Sequence, residues 1–285
     1  MAERQTRTVQ IRVLARVWGF KSPLAHVKNG YIDLRGHQTW SVDYQTSGEP
    51  LLLLHGGLSC TEDWEAYVLP SVEDRFHLYA YDRTGHGRTG IRDGYFHFDF
   101  QADEAISYIE DVIKEPTHLV GWSDGGIISL LVAIKRPDLV KSMVAIGTNY
   151  HWDTGGHFDP DAPITIPEED KEKWLSRSPD PLEQMEKTIR FGFKIWSSEP
   201  NMTLEDLAKI QCPTLILNGD DEPFDAEHGV SLYKALKDGR LAIIPAASHY
   251  VMREQPELFK EAIRQFHSHL EYPTTKWPRH RRKPE

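Results

Sequence analysis

Four short stretches of the 285-residue chain set chemically capable residues in a meaningful order. The first is Gly121–Trp122–Ser123–Asp124–Gly125–Gly126, which follows the apolar run His118–Leu119–Val120 and opens an apolar helical pattern. A serine on so sharp a strand-to-helix turn has a strained backbone. Only small residues two before and two after it let strand and helix pack that closely. Gly121 and Gly125 occupy those places. The helix start also offers free N–H groups and the positive end of a dipole beside the hydroxyl. The competing reading is a Gly-rich turn with a helix-capping serine; the strand and helix on either side favour a nucleophile.

A serine hydroxyl needs a base to take its proton and a third group to orient that base. For this kind of turn the chain order is serine, acid, histidine. Of fourteen histidines, His249 stands just past the last apolar run and ahead of a final amphipathic segment. The loop Gly219–Asp220–Asp221–Glu222–Pro223 offers three carboxylates after the preceding run, any of which could orient an imidazole, the others being solvated loop charges. Finally, His55–Gly56–Gly57–Leu58 follows Leu51–Leu54, where a Gly-rich turn can aim amides at developing oxyanion charge. The Gly57 and Asp124 N–H groups are the expected oxyanion pair, although an HGG turn by itself reads as a simple turn.

These residues need a scaffold, and the hydrophobic pattern supplies one. From Tyr31 onward, short β-branched and aromatic runs alternate with longer amphipathic stretches, which indicates a largely parallel sheet with crossover helices. Strands are expected at Tyr31–Leu34, Thr39–Tyr44, Leu51–Leu54, His77–Tyr81, Thr117–Gly121, Val140–Ile146, Thr214–Asn218 and Leu241–Ile244, the first two as an antiparallel hairpin. Helices are expected at Ala102–Ile113, Asp124–Lys135, Ala226–Leu236 and Gln255–Leu270. The alternation stops within 148–211, read as a helical cap with helices at Pro167–Leu175, Pro181–Trp196 and Thr203–Ile210. The expected division is a basic leader over 1–28, an α/β core over 29–147 and 212–271, the cap, and a basic tail over 272–285. Within the cap, Trp152, Trp174, Phe191, Phe193 and Trp196 are candidates to line an acyl pocket, against the commoner reading of helix packing residues. Trp122, Trp152, Trp196 and Asp124 are the substrate-binding candidates. His151 and His157 could imitate metal ligands, but no third ligand stands at suitable spacing, so neither a metal nor another cofactor is expected.

Composition narrows the function classes. With 27% charged and 39% hydrophobic residues the chain reads as globular, which excludes collagen, coiled coil and wholesale disorder. Net charge is −10; with the basic ends set aside, at +5 and +4, the body carries −19. Such a body repels nucleic acid and anionic membranes and concentrates cations, so the expected partner is a small-molecule substrate. The longest apolar stretch, within 126–134, is far short of the ~20 residues of a membrane span. Cys60 and Cys212 read as buried thiols in a reducing compartment. The expected location is cytoplasmic, although the Arg-rich leader also fits a mitochondrial transit peptide.

The HGG turn, the elbow and the terminal histidine together resemble the α/β-hydrolase superfamily over about Tyr31 to Leu270. Two further stretches strengthen the resemblance: Asp82–Arg83–Thr84–Gly85–His86–Gly87–Arg88–Thr89, similar to D-x-x-G-x-G-x-S with Thr89 in place of Ser, and Gln255–Pro256–Glu257 with Phe259. The resemblance implies an α/β-hydrolase fold, a mostly parallel eight-stranded sheet flanked by helices with a helical cap insertion. It places the triad acid three residues after Gly219, at Glu222 where the family usually has Asp, leaving Asp221 as the alternative. The elbow and the acid loop most resemble the biphenyl hydrolase-like (valacyclovir hydrolase) group of serine hydrolases and related bacterial esterases. In that group the carboxylate after the serine helps bind the amino group of amino-acid esters, a role that would fall to Asp124; an acid in a first helical turn is also favoured by the helix dipole alone.

The expected activity is hydrolysis of carboxylic esters, including amine-bearing ones, through an acyl-enzyme. Lactone hydrolysis and hydrolytic C–C cleavage can use the same triad, and a non-catalytic ligand-binding receptor can use the same fold. Dehalogenase and epoxide hydrolase chemistry is disfavoured, because those relatives carry an aspartate where this chain has Ser123.

Overall fold

A computed structural model describes residues 27–94, 96–154, 159 and 161–277. The expectations for the leader up to residue 26, for His157 and for the tail from residue 278 lie outside the described residues. Eight strands form one sheet in the order β1-β2-β4-β3-β5-β6-β7-β8. They are β1 (Lys28–Leu34), β2 (His37–Asp43), β3 (Glu49–Leu54), β4 (Phe76–Tyr81), β5 (Thr117–Trp122), β6 (Val140–Ile146), β7 (Thr214–Asp221) and β8 (Gly239–Ser248). β1 and β2 pair antiparallel, β2 also meets β4 antiparallel, and every pairing from β4 to β8 is parallel. The fold is thus the expected mostly parallel eight-stranded α/β sheet.

Because successive strand residues point to opposite faces, alternate side chains feed two separate cores. Leu52, Leu54 and Leu119 join α2 (Phe98–Tyr108), α3 (Asp124–Lys135) and Leu232 of α7 (Ala226–Ala235) on one face. Leu51, Leu53, Val120 and Trp122 join α1 (Thr61–Val72) and α9 (Pro256–Ser268) on the other. Burial on both faces is why the central strands read as continuous apolar runs.

Most elements lie where periodicity put them, and the differences have physical causes. Helix α1 escaped the sequence reading because its apolar spacing is weak and Pro70 lies inside it. Its start is supported from outside: the first N–H, on Thr61, donates to Asp82 Oδ1 at 2.9 Å. Helix α2 begins four residues early, at Phe98, whose N–H donates to Glu199 in the insertion. Its last expected turn, Ile109–Ile113, widens into a π-helical turn. β7 and β8 run beyond their apolar cores, to Asp221 and Ser248, and so reach the acid and histidine loops.

Between β6 and β7 lie α4 (Glu168–Arg177), α5 (Leu182–Trp196) and α6 (Leu204–Leu207). This insertion is tied to the core by named polar contacts. Arg177 donates to both carboxylate oxygens of Asp63 at 3.1 and 3.2 Å, and Asp180 accepts the Ile91 N–H at 3.0 Å. α8 (Val251–Glu254) follows the histidine loop. Among the described residues, no helix is long and apolar enough to cross a membrane.

Candidate active site

Parallel strands bring their C-terminal ends to one edge of the sheet, where ligands of open α/β sheets bind. The HGG turn follows β3, Ser123 follows β5, Glu222 follows β7 and His249 follows β8, so all four stretches meet at that edge. Ser123 has φ 55° and ψ −119°, a left-handed conformation unusual for a non-glycine residue. It stands at the N-cap position of α3 yet makes no side-chain capping hydrogen bond. That removes the capping reading. A β-carbon on Gly121 would collide with the Gly125 carbonyl, and one on Gly125 with the Leu54 carbonyl, so both flanking glycines are required for strand, turn and helix to pack.

The Ser123 N–H donates to the Ile146 carbonyl at the end of β6, at 2.8 Å. The next residue, Gly147, has φ 53°, and a β-carbon there would lie 2.8 Å from His249 Nδ1 and 3.3 Å from Glu222 Oε1. The end of β6 therefore carries the serine turn on one side and the imidazole–carboxylate pair against the following residue. His249 Nδ1 and Glu222 Oε2 are 2.7 Å apart, and Glu222 Oε1 accepts the Gly219 N–H at 3.0 Å. With Nδ1–H donated to the carboxylate, Nε2 keeps its lone pair, the form a general base needs. Asp221 is exposed within β7, opposite Ser248. Asp220 accepts the Ala247 N–H. Of the three loop carboxylates, it is Glu222 that meets the ring.

Asp124, the first residue of α3, has no carbonyl one turn back for its N–H. Its carboxylate is buried against the HGG turn: a β-carbon on Gly57 would sit 2.6 Å from Oδ2 and would collide with the Trp196 ring. Oδ1 accepts the Trp196 indole N–H at 2.9 Å, and Oδ2 lies 3.7 Å from Arg83 Nη2. Burial raises the Asp124 pKa, opposed by the Arg83 charge, the Trp196 hydrogen bond and His249.

The remaining sequence candidates separate. Trp196 reaches from the insertion to the elbow, as just described. Trp122 is packed in the core, near Trp64, and its indole N–H donates to the His249 carbonyl at 3.0 Å. Trp122 thereby holds the histidine loop. Trp152 is 38% exposed, stacks on His151 and donates its backbone N–H to the Pro200 carbonyl. Trp174 donates to the Asp180 carbonyl, Phe193 packs edge-on against Trp196, and Phe191 pairs with Phe96. His151 Nδ1 accepts the Asp153 N–H. Among the described residues no group of three His, Cys, Asp or Glu side chains could hold a metal ion.

Arg83 was missed as a site residue. It is fully buried; its backbone N–H donates to His55 Nε2 at 3.1 Å, Nη2 donates to the Gly56 carbonyl at 2.8 Å, and Nη1 donates to Gln101. Asp82 beside it accepts the Thr61 and Arg88 N–H groups, and Thr89 Oγ1 accepts the Trp40 N–H, so the D-x-x-G-x-G element is tied to α1 and β2 while Arg83 braces the HGG turn. The one available signal was an arginine inside an otherwise structural motif.

A serine elbow, an imidazole–carboxylate pair and a Gly-rich turn on the edge of such a sheet define an α/β-hydrolase architecture. The chain belongs to the Alpha/beta hydrolase family, whose sequence profile matches residues 51–262. It is 30% identical over 226 residues to the human serine hydrolase BPHL, covering 72% of this chain and 76% of that protein. It is 26% identical over 266 residues to (E)-2-((N-methylformamido)methylene)succinate hydrolase of Acinetobacter baylyi, covering 81% and 95%. Among solved structures, a serine hydrolase involved in carbazole degradation superposes with a TM-score of 0.70 at 22% identity, over 85% of this chain and 99% of that one.

Proposed function

We propose that this chain is a serine hydrolase that cleaves carboxylic esters through an acyl-enzyme, with Ser123, His249 and Glu222 as its triad. The observation that carries the proposal is the uncapped Ser123 at φ 55°, one residue step across β6 from an imidazole bonded to a carboxylate at 2.7 Å. Ser123 Oγ attacks the acyl carbon while His249 Nε2 takes its proton, and Glu222 stabilises the imidazolium. The Gly57 and Asp124 N–H groups receive the oxyanion. His249 then protonates the departing alkoxide. In the second half-reaction His249 takes a proton from water, the resulting nucleophile attacks the acyl-enzyme, and the carboxylic acid leaves with Ser123 regenerated.

The insertion serves in this reading as a cap, with Trp196 as its contribution to the acyl side of the site. Similarity to the human serine hydrolase supports the serine chemistry. Amine-bearing esters are supported by the acidic body, but less by Asp124, whose two carboxylate oxygens face Trp196 and Arg83.

The test is labelling with a fluorophosphonate together with hydrolysis of p-nitrophenyl esters by wild type and Ser123→Ala. Labelling and turnover that both vanish in Ser123→Ala are expected. A folded wild type that neither labels nor hydrolyses any ester, yet binds a ligand tightly, refutes the proposal in favour of a receptor.

A further inference from the structure

Arg83 and Asp124 form a buried ion pair directly behind the proposed oxyanion turn. The arginine is fully buried and Asp124 is 5% exposed. Around Arg83 stand His55 and His86, both kept uncharged by burial with the Arg83 charge adding to the effect. Among the described residues, Asp124 is the one carboxylate in ion-pair contact with Arg83. On its other side Asp124 faces Gly57, assigned above to the oxyanion, and Trp196, assigned to the acyl side of the site. A carboxylate buried there without a cation would be strongly unfavourable, and an ammonium on the substrate would be its natural partner.

We infer that Arg83 is an internal counter-ion that neutralises Asp124 and so makes the site select uncharged acyl groups over amine-bearing ones. Arg83 is a positioning residue: it touches no reacting atom and acts through Asp124 and through the Gly56 carbonyl it holds. The inference rests on the hydrolase reading and adds a substrate class to it. Its physical content is a charge balance. The pair sums to zero, so a substrate ammonium entering beside Asp124 meets a carboxylate already compensated at 3.7 Å. Without the guanidinium the same carboxylate has only the indole N–H, and a cation gains the full interaction in a site of low polarity.

The experiment compares two methyl esters of one skeleton, that of phenylalanine and that of 3-phenylpropanoic acid, which differ by the α-ammonium. The readout is the ratio of their kcat/KM values for wild type, Arg83→Gln, Arg83→Lys, Asp124→Asn and Arg83→Gln/Asp124→Asn. Loosening of the HGG turn lowers both rates and leaves the ratio unmoved, so the ratio isolates the charge effect. Wild type should favour the uncharged ester. Arg83→Gln should shift the ratio toward the amine-bearing ester by on the order of tenfold. Arg83→Lys should hold the wild-type preference, and the double variant should lose the shift. Asp124→Asn, which leaves the guanidinium unmatched, should shift the ratio the opposite way and tests the idea even if Arg83→Gln does not fold. An unmoved ratio in folded Arg83→Gln or in Asp124→Asn overturns the inference, as does a wild type that prefers the amine-bearing ester through Asp124. Absence of any Ser123-dependent hydrolysis instead overturns the hydrolase reading beneath it.

Discussion

Replacing Glu222 with glutamine changes one atom and removes one charge, and the surroundings dictate how the new amide must sit. Glu222 Oε1 accepts the Gly219 N–H at 3.0 Å, while Oε2 faces His249 Nδ1 at 2.7 Å. An amide presents one acceptor and one donor end, and only its oxygen can satisfy an N–H. In Glu222→Gln the oxygen therefore stays on Gly219 and the NH2 group turns to His249. Nδ1 must then accept, the ring proton moves to Nε2, and the nitrogen that should take the Ser123 proton no longer has a lone pair. The imidazolium also loses its stabilising charge. In a serine protease triad the same acid-to-amide change costs about 10⁴ in kcat, equivalent to about 5.5 kcal/mol of barrier. We expect a fall of about 10³ to 10⁴ here, with KM nearly unchanged, because the substrate-facing groups are untouched. Initial rates on p-nitrophenyl acetate read the activity, and thermal unfolding read by circular dichroism controls for the fold. Asp221→Asn, on an exposed carboxylate, should keep wild-type turnover. The reasoning is refuted if folded Glu222→Gln retains more than a tenth of wild-type kcat, or if Asp221→Asn is the more damaging change.

Two further predictions concern stability. Ser123 holds φ 55°, where glycine is at ease, so Ser123→Gly should abolish turnover yet raise the unfolding free energy by about 1 kcal/mol, offset in part by the freer unfolded chain; chemical denaturation that shows a loss instead would remove strain from the account of the elbow. Glu65 is bonded to the Tyr44 hydroxyl, and burial raises its pKa from the ordinary 4.5 to about 7. Between those values the folded state binds more protons than the unfolded one, so this residue's contribution falls as pH rises from 4.5 through 7. Glu65→Gln should therefore gain stability relative to wild type at pH 8 compared with pH 5, on the order of 1–3 kcal/mol; parallel stability curves across that range would show that the side chain is not held in a low-polarity setting.

The legible part of this protein was the part written locally. Sheet strands buried on both faces leave continuous apolar runs, and seven of the crossover and insertion helices left periodic or terminal signals, so the order of elements could be read from Tyr31 to Leu270. The Ser123 elbow was legible because its glycines are demanded by neighbours within a few residues. The place of His249 at the sheet edge was legible because it follows a strand and precedes an amphipathic helix. Helix α1 was not, since its first N–H is satisfied by Asp82, twenty-one residues on, and α2 starts early because Glu199 caps it from across the fold.

Sequence alone determined the fold class and singled out Ser123 and His249 as candidates, because periodicity and tight-turn sterics act over short stretches of chain. Residue types and spacing alone left three carboxylates open in one loop, and the family resemblance pointed to Glu222 with Asp221 as the alternative. Only the tertiary structure shows which of them meets the His249 ring: Gly147, after β6, leaves room for the Glu222–His249 pair. It also turned Trp122 into a brace for the histidine loop and Arg83 into the partner of Asp124. Those assignments depend on which side chains from distant segments share a buried space, and burial, which strengthens charge interactions and penalises unpaired groups, exists only once the chain has folded.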